Sequence, residues 1–326
     1  MEDLAGKTAF ITGGVSGIGL GIAHALLAAE MNVIVTYRRD HHLAEARRAL
    51  SAYGNRVHAM HVDVSDRDCM RQAADDAVKV FGKVHVVCNN AGVGIRGGIC
   101  EATHNDWDWA ISVNIMGVVN GIKYFLPRLC EHGEGGHFVT TASMSGLVVP
   151  PVAGLYAATK FAAVGIMEAL RGEVAGRGIG ASVYCPGLVH TNLIETEDAR
   201  PARYAEPGRV SDPKAREFFR DRILANGMDP LEAGRCVLEG IRHNRLYILS
   251  HPEFEAALRE RFEAILQAVP AGAHVPQSRI AAEAATLANP VYAAGIGTPT
   301  LETMKLPPSD SLAHSRSGAR NGSNWS

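Results

Sequence analysis

The sequence predicts an α/β fold of the doubly wound type: a mostly parallel, seven-stranded sheet with helices on both faces and extra helices toward the C-terminal end. Three features predict it. Short β-branched runs alternate with helix-length segments through roughly the first 190 residues, the pattern of strands joined by crossover helices. Those runs are apolar at nearly every position, as expected of strands covered on both faces. The chain is rich in glycine, and many of its 34 glycines fall just after the runs, where a chain leaving a strand turns tightly.

The first strand is expected at Thr8–Thr12, followed by the glycine-rich turn Thr12-Gly13-Gly14-Val15-Ser16-Gly17-Ile18-Gly19 and a helix near 17–30. The second, Val33–Tyr37, ends in Thr36-Tyr37-Arg38-Arg39 before a helix near 40–53. The third, Val57–Val62, runs into Asp63 and Val64 ahead of a helix near 66–81. The fourth, Val84–Cys88, is followed by Asn89-Asn90-Ala91-Gly92 and a long helix over 104–131 that carries Trp107, Trp109 and Asn114. The fifth, His137–Thr141, precedes Ser143 and a helix over 154–177; the sixth, Ala181–Cys185, precedes Pro186-Gly187-Leu188-Val189-His190-Thr191. Residues 188–230 hold Pro201, Pro207, Pro213 and Pro230 among many charges, the profile of a long inserted lid. A helix over 230–243, a last strand at Leu246–Leu249, an amphipathic helix Pro252–Ala268 and a further helix at 277–288 complete the chain. The expected organisation is one domain over 1–268, a helical extension over 269–294, and a Ser-, Gly- and Pro-rich flexible tail over 295–326.

Composition removes several function classes. A net charge of −2 provides no whole-chain field for nucleic acid or an anionic membrane. The acidic start Met1–Lys7 lacks the layout of a secretion signal, and no apolar run nears the ~18 residues that cross a bilayer. Cys69, Cys88, Cys100, Cys130, Cys185 and Cys236 form no C-x-x-C pair, which points to reduced thiols and a cytoplasmic address. The 14 histidines show no metal-ligand spacing, and His41-His42 reads as an exposed helix start, so no metal is expected.

Tyr156 and Lys160 stand four residues apart, one turn along one face of the expected helix. A tyrosine phenol has a pKa of ~10, and a nearby ammonium favours its anion; lowering it by about three units amounts to about 4 kcal/mol. The glycine-rich turn between strand and helix suits a pyrophosphate, because glycine admits a close approach and the helix N-terminus offers free N–H groups. At the end of the second strand a carboxylate would hold ribose hydroxyls. Arg38 and Arg39 stand there instead, ready for a 2′-phosphate, with Tyr37 beside the adenine or ribose. NADP(H) is therefore the expected cofactor, with NAD(H) left open. Asp63 suits either the adenine amino group or the N-cap of the next helix. Asn114 is unfavourable within a helix and calls for a local reason. These positions, with Asn90, Gly92, Ser143 and Gly187, lie at or beyond the carboxyl ends of strands or on the flanking helices, where open α/β sheets bind ligands.

The Thr12–Gly19 loop, Asp63, Asn89–Gly92, Asn114, Ser143, Tyr156, Lys160 and Pro186-Gly187 together resemble the short-chain dehydrogenase/reductase family, over about residues 5–250. The resemblance implies a Rossmann-type fold and hydride transfer between a nicotinamide cofactor and a secondary alcohol or ketone. It implies that Tyr156 is the general acid/base and Ser143 binds the substrate oxygen. Lys160 lowers the Tyr pKa and holds the nicotinamide ribose, and Asn114 supports a water-linked proton path. It implies cofactor contacts at Gly13, Ser16, Gly17, Ile18, Gly19, Tyr37, Arg38, Arg39, Asp63, Val64, Asn90, Ala91, Gly92, Tyr156, Lys160, Pro186, Gly187, Val189 and Thr191, and a homodimer or homotetramer. Arg200–Tyr204, Asn226–Pro230 and Leu246–Phe262 are also similar to bacterial Cα-dehydrogenases of lignin-derived aryl ethers, which carry an acidic residue where this chain has Tyr37. The apolar run Val148–Val152 with Leu155, beside Ile95-Arg96-Gly97-Gly98 and the lid, favours a bulky hydrophobic or aromatic small-molecule substrate. The competing readings are a 3-oxoacyl-thioester reductase and a catalytically idle nucleotide-binding protein on the same fold.

Overall fold

Apolar residues that alternate in direction along each strand build two cores, one on each face of a single sheet. The computed structural model describes residues 1, 3–95, 97–151, 153–205, 213–272, 274–287 and 290–292. The strands are β1 (Thr8–Ile11), β2 (Asn32–Tyr37), β3 (Val57–His61), β4 (Val86–Asn89), β5 (Gly136–Thr141), β6 (Ile179–Tyr184) and β7 (Tyr247–Ile248). They form one seven-stranded sheet in the order β3-β2-β1-β4-β5-β6-β7. Each pairing is parallel. The order reverses between β1 and β4, and Ile11 lies level with both Val35 and Cys88. The segments leaving β1, β2 and β4 therefore emerge together, at the switch point where such sheets bind ligands.

The helices are α1 (Gly17–Ala28), α2 (Leu43–Ala49), α3 (Arg67–Phe81), α4 (His104–Ala110), α5 (Met116–His132), α6 (Gly154–Glu173), α7 (Pro213–Asn226), α8 (Pro230–Arg242), α9 (Glu255–Gln267), α10 (Gln277–Ala282) and α11 (Ala284–Leu287). Phe10, Val87 and Phe138 pack with Met70 of α3, Phe125 of α5 and Met167 of α6. Ala9, Ile11 and Val35 pack on the other face with Ile22 of α1, Ala46 of α2 and Val237 of α8. Helices α1 and α8 meet through glycine: a Cβ on Gly21 would overlap the Pro230 carbonyl, and one on Gly234 would overlap that of Gly21.

Several expected elements change form. The helix over 40–53 is a 3-10 turn at Asp40–His42, the short α2, and a second 3-10 segment at Ser51–Arg56 containing Gly54 at φ 57°. The helix over 104–131 is α4, a π-helical segment at Ile111–Ile115, and α5. The helix over 154–177 ends at Glu173, the last strand has only two residues, and the helix over 277–288 divides into α10 and α11. His104–His132 is long and apolar enough to cross a bilayer by length and composition, contrary to the expectation that no segment would be; half of its apolar window is buried, as in a core helix. The six cysteines are free, and burial pushes the thiols of Cys88 and Cys185 up to about 12. Arg96, Val152, part of the lid over 206–212 and the tail over 295–326 lie outside the described residues.

The glycine contact between α1 and α8 yields the first prediction. Gly21→Ala should lower stability by about 3 kcal/mol, the upper range for overpacking, because the obstacle is rigid backbone. Urea unfolding measures it; a loss under ~0.5 kcal/mol would mean the helices part without strain.

Candidate active site

A cleft of about 1390 Å³, counted with its solvent mouth, runs along the carboxyl ends of the strands. Its end at the glycine-rich turn is built by close backbone approach. Gly13 has φ 63°, and a Cβ there would stand 3.2 Å from the Ala91 Cα; Gly17 has φ 48° and faces Thr191. The N-cap of α1, Ser16, is extended and makes no side-chain cap bond, so N–H groups of the first turn remain for an anion. Glycine in these places and an uncapped helix start fit a pyrophosphate. Gly19 does not line the cleft. It is a packing residue, because a Cβ on it would overlap the Gly13 carbonyl. Thr12 and Asn90 hold this end together. The Thr12 hydroxyl accepts from the N–H groups of Asn90 (2.9 Å) and Ala91 (3.0 Å). The Asn90 amide donates to the carbonyls of Thr12 (3.1 Å) and Gly13 (3.3 Å) and accepts from the Thr141 hydroxyl (3.1 Å).

At the end of β2, Tyr37 stands edge-on to His61, with ring centroids 5.6 Å apart. Arg38 donates through Nη2 to the Ala199 carbonyl at 2.6 Å, and burial lowers its pKa. Arg39 is exposed on the rim. Asp63 is not a helix cap: Asp66 caps α3 by accepting from the N–H groups of Asp68 and Cys69. One Asp63 oxygen accepts from the N–H (2.9 Å) and hydroxyl (2.7 Å) of Ser65. Val64 also lines the cleft, its carbonyl held by Asn120 at 2.9 Å. His41 and His42 line this end too, unforeseen from their position at a helix start. His42 reaches Asn192 at 3.2 Å, and burial, with His41 and Arg39 adding, lowers its pKa.

Ser143, Tyr156 and Lys160 meet at the far end of the same cleft. Ser143 is extended and accepts through Oγ from the Ser145 N–H at 3.1 Å. Lys160 is 5% exposed, donates to the Thr141 carbonyl at 3.0 Å, and lies 5.5 Å from the centre of the half-buried Tyr156 ring. Burial pushes the Lys160 ammonium down to about 8. Asn114 stands behind this wall rather than in it. Its amide accepts from the Val93 N–H (2.8 Å) and donates to the Val93 carbonyl (3.0 Å) and the Thr159 hydroxyl (3.1 Å). Thr159, which sequence reasoning passed over, donates in turn to the Tyr156 carbonyl at 2.8 Å. A mid-helix threonine one residue before Lys160 was the available signal.

The Pro186-Gly187 turn closes one side of the cleft and is held from behind by His251. That ring accepts from the Gly187 N–H at 3.0 Å and reaches the Leu188 carbonyl at 3.1 Å. Leu193, Thr196 and Ala199, from the segment after β6, also line the cleft. Arg200 pairs with Asp106 at 2.5 Å and lies 4.7 Å over the Trp109 ring. Burial works to raise the Asp106 pKa, but bonds from Thr103 and Arg200 outweigh it and hold the carboxyl below its ordinary value. Ile95, expected in the pocket, is a core residue, and Val149 is 61% exposed. Away from the cleft, His85, His132 and Glu134 converge with ligand atoms within 4.8 Å, a grouping their sequence spacing did not reveal. Their ring nitrogens already bond Thr8, Glu134 and Val84, and Lys83 pairs with the carboxylate.

Comparison with known proteins agrees with this geometry. The family model described as short chain dehydrogenase matches residues 7–202. The chain belongs to that family. It is thus an oxidoreductase acting on an alcohol group, with a nicotinamide cofactor and a small-molecule substrate. Among curated short-chain dehydrogenases it is 35% identical over 270 residues to the C alpha-dehydrogenase of Sphingobium sp. (strain NBRC 103272 / SYK-6), covering 82% of this chain and 88% of that one. It is 30% identical to the CLA biosynthesis dehydrogenase/reductase of Lactiplantibacillus plantarum, over 82% of this chain and 95% of that one. A short-chain dehydrogenase/reductase from Burkholderia phymatum, solved in complex with NAD, superposes with a TM-score of 0.77 at 34% identity, over 85% of this chain and all (100%) of that one. The apo form of LigO from Sphingobium sp. strain SYK-6 gives 0.71 at 36% identity, over 89% and 99%.

Burial of Lys160 ties stability to pH. The unfolded lysine keeps its proton to about 10.5, whereas the folded one releases it near 8. Between these values the unfolded state binds more protons, so this contribution to stability rises with pH, by about 3 kcal/mol when complete. The gain in unfolding free energy from pH 8 to 10 should be larger in the wild type than in Lys160→Met, measured by urea denaturation without cofactor. Equal slopes would mean that the ammonium is not desolvated.

Proposed function

We propose that the protein interconverts a secondary alcohol and its ketone on a bulky hydrophobic or aromatic substrate, with Tyr156 as general acid/base. The convergence of Ser143, Tyr156 and Lys160 at one end of a cleft whose other end suits a dinucleotide carries this reading. The nicotinamide, when bound, supplies or takes the hydride. In reduction, the Tyr156 phenol gives its proton to the carbonyl oxygen as charge develops there. Ser143 already accepts at Oγ from the Ser145 N–H, which leaves its own proton to donate to that oxygen. Lys160, charged below about pH 8, favours the phenolate that remains and makes the proton easier to release. Its second service is to hold the nicotinamide ribose with the N–H bonds not given to the Thr141 carbonyl. Asn114 acts through position, fixing Val93 and Thr159 behind the reacting groups.

The described lining of the cleft includes Val93, Val113, Val189 and Leu193, which suits an apolar or aromatic group more than a sugar or phosphate. The name of the Sphingobium relative, a C alpha-dehydrogenase, supports the dehydrogenase reaction. NADP(H) is preferred over NAD(H), because Arg38 and Arg39 stand where a ribose-binding carboxylate would stand.

Tyr156→Phe should lower kcat for aryl-ketone reduction at least ~100-fold, the usual scale of general acid–base catalysis. A variant retaining near wild-type turnover would remove Tyr156 from this role. In fluorescence titrations NADPH should bind about tenfold tighter than NADH, and Arg39→Ala should narrow that ratio through loss of one partly exposed phosphate contact. Tighter binding of NADH by the wild type would reverse the cofactor assignment.

A further inference from the structure

Two consecutive lid residues are fastened in opposite directions across the mouth of the cleft. The Ala199 carbonyl accepts from Arg38, at the end of β2, at 2.6 Å. The next side chain, Arg200, turns the other way toward α4. Its Nη2 donates to the Asp106 Oδ1 at 2.5 Å, its Nη1 to the Tyr204 carbonyl at 3.3 Å, and its plane lies 4.7 Å over Trp109. This is an enclosed pair: the side chains of Arg200 and Asp106 are 9% and 0% exposed. The Asp106 carboxylate is divided between two tasks. Oδ2 accepts from the N–H and hydroxyl of Thr103 and so caps α4, while Oδ1 faces the lid. Trp109 is fully buried, and its indole N–H has no hydrogen-bond partner among the described residues. Its contribution here is therefore the ring face that the guanidinium covers.

Buried ion pairs rarely add net stability over an apolar filling of the same volume, but they demand one geometry. What this pair holds in place is the wall of the cleft. Between Asn192 and Arg200 the chain is also stitched at Thr196, whose hydroxyl accepts from the Gly94 N–H at 3.0 Å and donates to the Leu193 carbonyl at 2.7 Å. Leu193 itself lies against Gly94, where an added Cβ would come within 2.9 Å of its side chain. Leu193, Thr196 and Ala199 line the cleft, whereas Ser143, Tyr156 and Lys160 hang from β5 and α6.

We propose that Arg200 is a positioning residue that sets which substrates fit: through Asp106 and Trp109 it fixes segment 193–199 as a rigid wall shaped for a bulky apolar or aromatic alcohol or ketone. The kinetic part rests on the hydride-transfer reading above; the structural part does not. Loosening the wall changes substrate binding and leaves the proton-transfer groups in place. Arg38 fastens the same wall at the cofactor side, so the segment is held from both substrates' ends of the cleft.

Hydrogen exchange on the full chain, without cofactor or substrate, tests the wall directly. In Arg200→Met and in Asp106→Asn, which keeps an oxygen for the α4 cap, amides in 193–204 should exchange at least ~10-fold faster. Amides of β5 and α6 should keep wild-type protection, and Arg200→Lys should restore part of the loss. In steady-state assays with NADPH and a bulky aryl ketone, Arg200→Met should raise KM at least ~10-fold with kcat within about threefold. Unchanged exchange in 193–204, a loss of protection spread evenly through the sheet, or an equal fall in kcat with KM unchanged would each overturn the proposal. Should Arg200→Met fail to fold, Asp106→Asn and Arg200→Lys carry the same comparison. A wild type inactive on all ketones would defeat the reaction assignment, while the exchange result would still decide the role of Arg200.

Discussion

The Asn90 side chain joins the carboxyl ends of three neighbouring strands, and the cleft depends on that junction. Its amide nitrogen reaches the carbonyls after β1, its oxygen receives the hydroxyl at the end of β5, and its own backbone leaves β4. Parallel strands release their backbone groups at one edge, and at a switch point the adjoining loops part in opposite directions. Without a side chain to fill the parting, those carbonyls would be buried unpaired, at about 1–3 kcal/mol each. The Asn90 amide supplies the partner for the carbonyls, and the Thr12 hydroxyl accepts from the N–H groups of Asn90 and Ala91. They also bring Ala91 against Gly13, where an added Cβ would stand a tight 3.2 Å from the Ala91 Cα on a backbone already at φ 63°.

The buried ammonium of Lys160 imposes the second constraint. A charge in a low-dielectric site is unfavourable unless hydrogen-bonded, and here one bond goes to the Thr141 carbonyl. The backbone on either side of the lysine is closely packed. A Cβ on Gly92 would come within 3.5 Å of Nζ, and one on Gly146 within 2.7 Å of the Lys160 carbonyl. The result is a cation near the edge of its proton affinity, with a pKa of about 8, beside a phenol. A fully solvated lysine would hold its charge more firmly but act on the phenol through water, where the same charge counts for less.

What was legible in the sequence divides along physical lines. The strands were legible because burial on both faces makes them continuous apolar runs, and Tyr156 and Lys160 because a helix places i and i+4 on one face. The glycines of the first turn could be read as a group but not one by one: Gly13 and Gly17 face the cleft, whereas Gly19 packs against the Gly13 carbonyl and the Asn90 amide. Contacts made across long sequence separations left no local trace. Asp106 meets Arg200 94 residues away, and His42 meets Asn192 150 residues away. The N-cap of α3 could not be chosen among adjacent Asp63, Ser65 and Asp66, because all three offer the right oxygen and only the backbone geometry selects Asp66. The expected helix over 40–53 is α-helical only at Leu43–Ala49, because the weak helix formers that follow in Ser51–Arg56 take a 3-10 form, and Gly54 at φ 57° turns the chain away just past its expected end.

The π-helical segment at Ile111–Ile115 shows why an apparent defect belongs with the chemistry. Apolar periodicity runs unbroken from α4 into α5, so the local sequence favours one helix. Asn114 supplies the competing term. Its amide pairs with both the N–H and the carbonyl of Val93, as the peptide of a neighbouring strand would, and then with Thr159. Accommodating that side chain displaces a helical bond and widens the turn. In return the loop after β4 is fixed at Val93, the residue next to Gly92, where an added Cβ would press on the Asn114 Oδ1 at 3.3 Å and reach ordinary contact with the Lys160 ammonium. The irregular turn and the buried cation are thus two ends of one arrangement: the helix gives up regularity where the loop over the ammonium requires a rigid support.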